Sequence, residues 1–281
     1  MEKNLNILVP VDFTPVSFKA LEFLNFLTQT IPVTAHLVHV MEVNTGDWAG
    51  ATDMSDTADV KQLRAQEEKA LKQFEELKQQ VDFVFTTEIL HGGLTTAIAK
   101  HAAKLHADLV LIGTEGADGW LEKVSGSEAQ HVVRYTDIPV ITVHQFASIT
   151  PIRNILWVAD FGAEKQPEQT IVTIKNLQRL FNAQLHLLQI VGKEDEYQET
   201  QINMRRFADN FDLQNYELHL HHNYKVPAGV RNFNELSAMD LVLIGTHGRK
   251  GISHLFYGSI AETLVNHCIR PLMTYHLKDQ L

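Results

Sequence analysis

Two glycine-rich segments of one pattern are the strongest chemical signal in the sequence. Residues 113–127 and 245–259 both read Gly-x-x-Gly, nine residues, Gly-Ser, and each follows the apolar run Asp-Leu-Val-Leu-Ile. Glycine lets backbone N–H groups approach an anion, and a helix N-terminus adds unpaired donors and a favourable dipole. The pattern therefore predicts two phosphate sites. Each closing serine, with the amide or acidic residue three positions later, also fits a helix capping box, so a purely structural role stays open for the Gly-Ser pair.

The two loops differ in charge. Residues 114–126 contain three carboxylates and one lysine, a sum of −2, whereas residues 246–258 contain Arg249 and Lys250, a sum of +2 with histidines neutral. Unit charges about 4 Å apart interact by several kcal/mol at the effective dielectric of a partly buried site. Phosphate is therefore matched better by the second loop.

The elements around the loops repeat in the same order in both halves. An apolar strand at residues 6–11 is followed by Asp12 and by a helix that Thr14 caps and Pro15 begins, and the second half repeats this order from Asn154. Four residues of that first helix are predicted to face inward: Phe18, Leu21, Leu24 and Leu27. Alternating strands and helices imply parallel βαβ units, whose ligands bind beyond the carboxyl ends of the strands.

Composition limits the classes of function. The 281 residues, 44% hydrophobic, suit two domains, which the repeat places at residues 1–146 and 151–281. A formal net charge of −10 argues against nucleic-acid partners and anionic membrane surfaces. No apolar run approaches the roughly eighteen residues of a membrane span, and no leader pattern opens the sequence, so we expect a cytoplasmic protein.

The histidines raise the question of a metal. His219 and His221 lie two residues apart, on one face of a predicted strand, among 15 histidines in all. A closed zinc site needs about four ligands and a catalytic one about three, and neither an HExxH motif nor paired cysteines accompany these two. We therefore predict a solvated strand face and assign no metal ligands.

The whole pattern resembles the universal stress protein family in its tandem form. The resemblance rests on Val-Pro-Val-Asp-Phe near the start, Ala-Asp-Leu-Val-Leu-Ile-Gly-Thr before the first loop, the two glycine patterns, and Pro-Val-Ile-Thr-Val at residues 139–143. It implies an α/β fold of two tandem Rossmann-like domains of the adenine nucleotide alpha hydrolase-like type. Each would be a five-stranded parallel sheet of order 3-2-1-4-5 with helices on both faces. The halves would pair internally through their last strands as a pseudo-dimer, and a further homodimer is compatible with this.

The resemblance also implies a ligand, because many members bind ATP while another branch lacks the glycine motif and binds none. By position, the better nucleotide site would comprise Asp160, Ile190, Gly245, Gly248, Arg249, Lys250, Gly258 and Ser259. A second, weaker site would comprise Pro10, Asp12, Val40, Gly113, Gly116, Gly126 and Ser127. The expected cofactor is ATP or another adenine nucleotide, with or without Mg²⁺. Tyr224, near the second site, would either fill the adenine space or stack on the base.

Three functions fit these residues. The first is a stress-associated regulator that binds an adenine nucleotide, and this is the one that we expect. The second is a nucleotide-free scaffold that contacts an unknown protein partner. The third is a slow hydrolase with Asp160 or His247 as base, but a P-loop lysine pattern and a Gly-x-Ser-x-Gly elbow are both absent. We therefore assign no catalytic residue and expect at most weak ATP hydrolysis.

Overall fold

The computed structural model describes residues 4–42, 58–116, 128–162, 166–193, 196–246, 263–265 and 268–277. The described strands are β1 (Leu5–Pro10), β2 (Val33–Met41), β3 (Phe85–His91), β4 (Leu109–Thr114), β5 (Val140–His144), β6 (Asn154–Val158), β7 (Gln184–Val191), β8 (Tyr216–His222), β9 (Leu241–Thr246) and β10 (Leu272–His276). The described helices with assigned bounds are α1 (Pro15–Thr30), α2 (Ala58–Lys78), α3 (Leu94–Lys104), α4 (Glu128–Tyr135), α5 (Glu168–Phe181), α6 (Tyr197–Asn210) and α7 (Val226–Ser237).

The strands form one ten-stranded sheet of order β3-β2-β1-β4-β5-β10-β9-β6-β7-β8. Within each half every pairing is parallel, and the order is 3-2-1-4-5 in both. The halves meet where β5 and β10 pair antiparallel, with Leu272 opposite Thr142 and Thr274 opposite Val140. The predicted α/β architecture and the internal pairing through the last strands are confirmed.

Burial on both faces explains why the central strands read as unbroken apolar runs. The Leu-Val-Leu-Ile runs of β4 and β9 are buried throughout, as expected for parallel strands covered by helices on both sides. Alternate residues enter two different cores: Leu109 and Leu111 lie in one, while Val110 and Ile112 lie in the other. Two apolar layers therefore cover the faces of the sheet, and the ends of its strands remain available for ligands.

The first helix begins as predicted but buries a different stripe. The Thr14 side chain accepts a hydrogen bond from the Ser17 backbone N–H, and Pro15 occupies the first turn. Leu21, Leu24 and Leu27 are buried, but Phe18 is 42% exposed, so its predicted inward position is wrong. Each step of three residues turns backward by about 60° around an α-helix. Four residues at that spacing span half the circumference and cannot all face one core.

Among the described residues, no helix combines the length and apolar character that a membrane crossing requires.

Candidate functional site

Four residues of the weaker predicted site converge at the carboxyl edge of the first half. Pro10 ends β1, Asp12 follows it, Val40 lies near the end of β2, and Gly113 lies on β4, the neighbour of β1. All four line one cavity of about 90 Å³. Pro10 and Gly113 are more than a hundred positions apart in the sequence, and the parallel sheet brings them together.

Asp12 is held as a carboxylate. Its Oδ1 accepts hydrogen bonds from the backbone N–H of Thr14 at 3.0 Å and from the Thr14 hydroxyl at 2.7 Å. Burial works to raise the pKa of Asp12, but the hydrogen bonds from Thr14 and Ser17 outweigh it and lower the pKa below its usual value. An ionised carboxylate at a cavity wall can accept hydrogen bonds from ligand hydroxyls or ligate a hard cation.

Seven further residues line the same cavity and were not predicted from the sequence, and among them are His39, Leu94 and Glu128. His39 precedes Val40 on β2, and its Nδ1 lies 2.7 Å from the carbonyl oxygen of Val11, so this nitrogen carries the proton and donates. Strand register could have identified His39, since the sequence already placed the end of β2 at the cleft. Glu128, the first residue of α4, adds a second carboxyl group to the cavity wall.

The first glycine of each motif has a packing role. A Cβ added at Gly113 would lie 2.2 Å from the backbone oxygen of Val16 in α1. At Gly245 an added Cβ would lie 2.6 Å from Leu277 Cδ2. Both glycines lie within strands, so close packing accounts for their lack of a side chain without any phosphate. Gly116 is different, because its φ of +77° is a left-handed conformation that favours glycine.

In the second half, Asp160 lies at the matching edge. It follows β6, whose Val158 pairs with Ile244 of β9, and so it comes close to Gly245 in the strand register. Asp160 Oδ1 accepts hydrogen bonds at 3.1 Å from Gln189 Nε2 and from the Gly162 backbone N–H. The Gln189 side chain therefore links the end of β7 to Asp160 after β6.

Ile190 and Tyr224, which the sequence analysis placed near a base in the second half, differ in their packing. Ile190 packs closely under α7, since a Cβ at Gly229 would lie 2.9 Å from Ile190 Cδ1. Tyr224 is 84% exposed, with its ring 5.1 Å from that of His222 in an edge contact. Among the described residues its side chain does not fill a buried space, and both alternatives for Tyr224, filling the adenine space or stacking on the base, stay predictions.

Seven residues of the two predicted sites lie outside the described residues: Gly126, Ser127, Gly248, Arg249, Lys250, Gly258 and Ser259. Their part in either site stays a prediction from the sequence.

Comparisons with known proteins agree with this architecture. The model of the universal stress protein family matches residues 3–144 and again residues 151–276. Universal stress protein MJ0531 of Methanocaldococcus jannaschii is 24% identical over 144 residues, which are 49% of this chain and 80% of that protein.

Two solved structures cover nearly the whole chain. A universal stress protein of Archaeoglobus fulgidus DSM 4304 is similar with a TM-score of 0.75 and 16% identity, over 96% of this chain and 98% of that one. The protein PA1789 of Pseudomonas aeruginosa PAO1 is similar with a TM-score of 0.62 and 16% identity, over 97% and 92% of the two chains. At these identities the structures show the shared fold. Because the family model matches both halves in succession, the chain belongs to the universal stress protein family, in its tandem form.

Proposed function

We propose that the protein is a regulator that binds ATP or a related adenine nucleotide at the carboxyl ends of the parallel strands of one half, with the second half favoured. Because β5 and β10 pair antiparallel, the carboxyl ends of the two halves lie at opposite edges of the sheet, so the base and phosphates of one nucleotide would bind within the same half. The observation that carries the proposal is the convergence of Pro10, Asp12, Val40 and Gly113 on one cavity of the first half, because the second half repeats the same strand order. The pseudo-symmetric sheet places Asp160, Ile190 and Gly245 at the corresponding strand ends of the second half.

The nucleoside end of the cleft supports this ligand. The cavity combines apolar walls from Val40 and Leu94 with the carboxylate of Asp12, which suits a flat base beside a sugar that carries hydroxyl donors. Its volume of about 90 Å³ is smaller than the roughly 300–1,000 Å³ of usual ligand pockets. The described residues of this half would therefore form only one part of such a site.

Charge supports the second half for the phosphates. In the first half Glu128 lines the described cavity, and the loop of residues 114–126 sums to −2. In the second half Arg249 and Lys250 belong to the glycine loop. A hydrogen bond to a charged group contributes about 1.5–3 kcal/mol, so two cations near a triphosphate would decide between otherwise similar halves.

Calorimetric titration of the nucleotide-stripped full chain with ATP and Mg²⁺ tests the proposal. Replacing both Arg249 and Lys250 by alanine should weaken binding by about tenfold or more. The control replaces Arg205 and Arg206 of α6, two adjacent exposed arginines, by alanine. It changes the net charge equally and should leave the affinity within about twofold of the parent.

A second pair of variants assigns the nucleoside end. Asp160→Asn should weaken the binding of ATP. Asp12→Asn should have little effect on the affinity if ATP binds only in the second half. The opposite result would move the nucleotide to the first cavity and contradict the preference for the second half. No heat at millimolar ATP, together with an unchanged melting temperature, would refute nucleotide binding and favour the scaffold.

Regulation requires that the nucleotide bind one conformation more tightly than another, because equal binding shifts no equilibrium. Hydrogen exchange of the full chain with and without saturating ATP measures this. Protection that extends beyond the cleft would support a regulator. Hydrogen-exchange protection confined to the cleft, together with release of phosphate from ATP well above the rate in buffer alone, would instead support a hydrolase.

A further inference from the structure

Three metal-ligating side chains meet on the sheet of the second half, near the amino ends of β7 and β8. His186 of β7 pairs in register with Glu217 of β8, and His219 lies two residues farther on, on the same face. His186 Nδ1 lies 2.9 Å from His219 Nε2. Glu217 Oε2 lies 3.7 Å from His186 Nδ1 and 3.6 Å from His219 Nε2. Among the groups that the described residues form, this one has its three ligand atoms close enough to hold one ion.

The triangle of ligand atoms has nearly the size that zinc requires. Zinc lies about 2.0–2.2 Å from imidazole nitrogen and carboxylate oxygen in tetrahedral sites, which sets neighbouring ligand atoms about 3.3–3.5 Å apart. The edges of 2.9, 3.6 and 3.7 Å each differ from that by a few tenths of an ångström. Side-chain rotations that change these distances by a few tenths of an ångström would bring the three atoms to the spacing of a zinc site.

A neighbouring amide holds the most buried ligand in the required orientation. Asn154 Oδ1 of β6 lies 3.2 Å from His186 Nε2, and with this oxygen as acceptor the His186 proton resides on Nε2. The lone pair of Nδ1 is then directed at His219 and Glu217. A hydrogen-bonded partner on the far nitrogen is a recurrent feature of histidine ligands to metals.

Burial favours the neutral, ligating form of both rings. The pKa of His186 lies below its usual value, mainly through burial and also through the nearby His219, with Glu217 opposing. Burial likewise lowers the pKa of His219, again against the effect of Glu217. Phe233 of α7 packs its ring 4.9 Å from that of His219. In the neutral pair the hydrogen between the rings belongs to His219 Nε2, which donates to His186 Nδ1. Binding an ion through His219 Nε2 requires the tautomer that carries this proton on Nδ1, so both rings stay neutral and no charge has to be removed first.

The solvent exposure of the three ligand side chains increases from one side of the cluster to the other. The His186 side chain is 8% exposed and that of His219 25%, whereas that of Glu217 is 52% exposed. An ion can therefore enter from the solvent side, and a water can complete a tetrahedral set of four ligands there.

The first half provides a natural comparison. His36 occupies the place of His186, and its Nε2 lies 2.9 Å from Asn6 Oδ1, in the same way. The two positions on the neighbouring strand carry Thr86 and Glu88, and His36 Nδ1 lies 2.7 Å from the Thr86 hydroxyl. The histidine and its amide partner are thus common to both halves, while the remaining ligand set belongs to the second half.

We propose that His186, Glu217 and His219 bind one divalent transition-metal ion, with Zn²⁺ as the preferred ion and water as the fourth ligand. Two imidazoles and one carboxylate suit zinc better than Mg²⁺, which prefers oxygen ligands in octahedral geometry. The ion would link β7 to the edge strand β8 and stabilise the folded chain by binding it in preference to the unfolded one.

Titration of the metal-stripped full chain with ZnCl₂ in a non-coordinating buffer tests the site. We expect one tight equivalent and a rise in melting temperature that EDTA reverses, with no such rise in MgCl₂. Glu217→Gln and His219→Gln should each lower the affinity for the tightly bound zinc by more than about 100-fold. Asn154→Ala, which removes the hydrogen-bond partner that orients His186, should lower it by about 10- to 100-fold.

His221→Gln is the matched control, because His221 lies on the same strand and face, two residues beyond His219. It should bind zinc as the parent does, which separates this site from weak uptake by other histidines. Circular dichroism and the melting temperature in EDTA establish that each variant is folded; exposed Glu217 is the change least able to disturb folding. The proposal is overturned if the parent shows no tight equivalent, or if folded Glu217→Gln retains it at parental affinity.

Discussion

Replacing Tyr275 by phenylalanine should destabilise the second half through one buried hydroxyl. Trp157 Nε1 donates to Tyr275 Oη at 2.7 Å, and that hydroxyl donates in turn to Gln166 Oε1 at 2.8 Å. Trp157 and Tyr275 are almost fully buried and lie on β6 and β10, two strands apart with β9 between them. The variant keeps the ring, so packing is preserved and the hydrogen bonds alone are removed.

The magnitude follows from the two bonds. The indole N–H of Trp157 would lose its acceptor in an apolar setting, which costs about 1–3 kcal/mol, and the lost bond to Gln166 adds roughly 0.5–1.5 kcal/mol. We therefore expect the free energy of unfolding to fall by about 1.5–4.5 kcal/mol. This is a large share of the roughly 5–15 kcal/mol that is usual for a folded protein.

Urea unfolding followed by far-ultraviolet circular dichroism measures this change from the unfolding midpoint and slope. Tyr224→Phe is the matched control, because Tyr224 is 84% exposed, and its loss of a hydroxyl should change stability by less than about 0.5 kcal/mol. A Tyr275→Phe variant as stable as the parent would refute the reasoning. An equal loss in both variants would do so as well, since burial would then not matter.

Two further predictions concern packing and pH. Gly113→Ala should lower the free energy of unfolding in urea by about 1–3 kcal/mol, because the added Cβ would collide with the Val16 backbone oxygen. Gly192→Ala is the control, because nothing lies within 4 Å of its added Cβ, and it should leave the stability nearly unchanged. Equal effects of the two changes would contradict a packing role for Gly113. Burial, opposed by Glu88, lowers the pKa of His101 below 6.5. Neutral His101 therefore contributes to the stability of the folded chain above about pH 6.5, and this contribution is lost as the pH falls through the lowered pKa. In EDTA, His101→Gln should therefore lose less stability than the parent between pH 7.5 and 5.5, and an unchanged pH dependence would argue against this assignment.

The repeated motifs and the alternation of strands and helices were sufficient to predict the architecture. They predicted strands before each glycine loop, the helix that Thr14 and Pro15 begin, and the collection of Asp12 and Gly113 at one sheet edge. Such features depend on residues a few positions apart, because helix and strand periodicity and capping act over that range. Together with the family resemblance, they also led to the strand order 3-2-1-4-5 in each half.

Contacts between segments that are far apart in the sequence could not be predicted from such local patterns. The sequence drew attention to His219 and His221 as neighbours on one strand, whereas the fold brings His219 against His186 and Glu217. Gly113 looked like a phosphate residue, yet its missing side chain is required by α1. Both facts depend on how strands align and where helices pack, which the whole core specifies through many weak contacts. Local patterns thus determine which elements form and which ends they expose, and the packing of those elements determines which side chains meet.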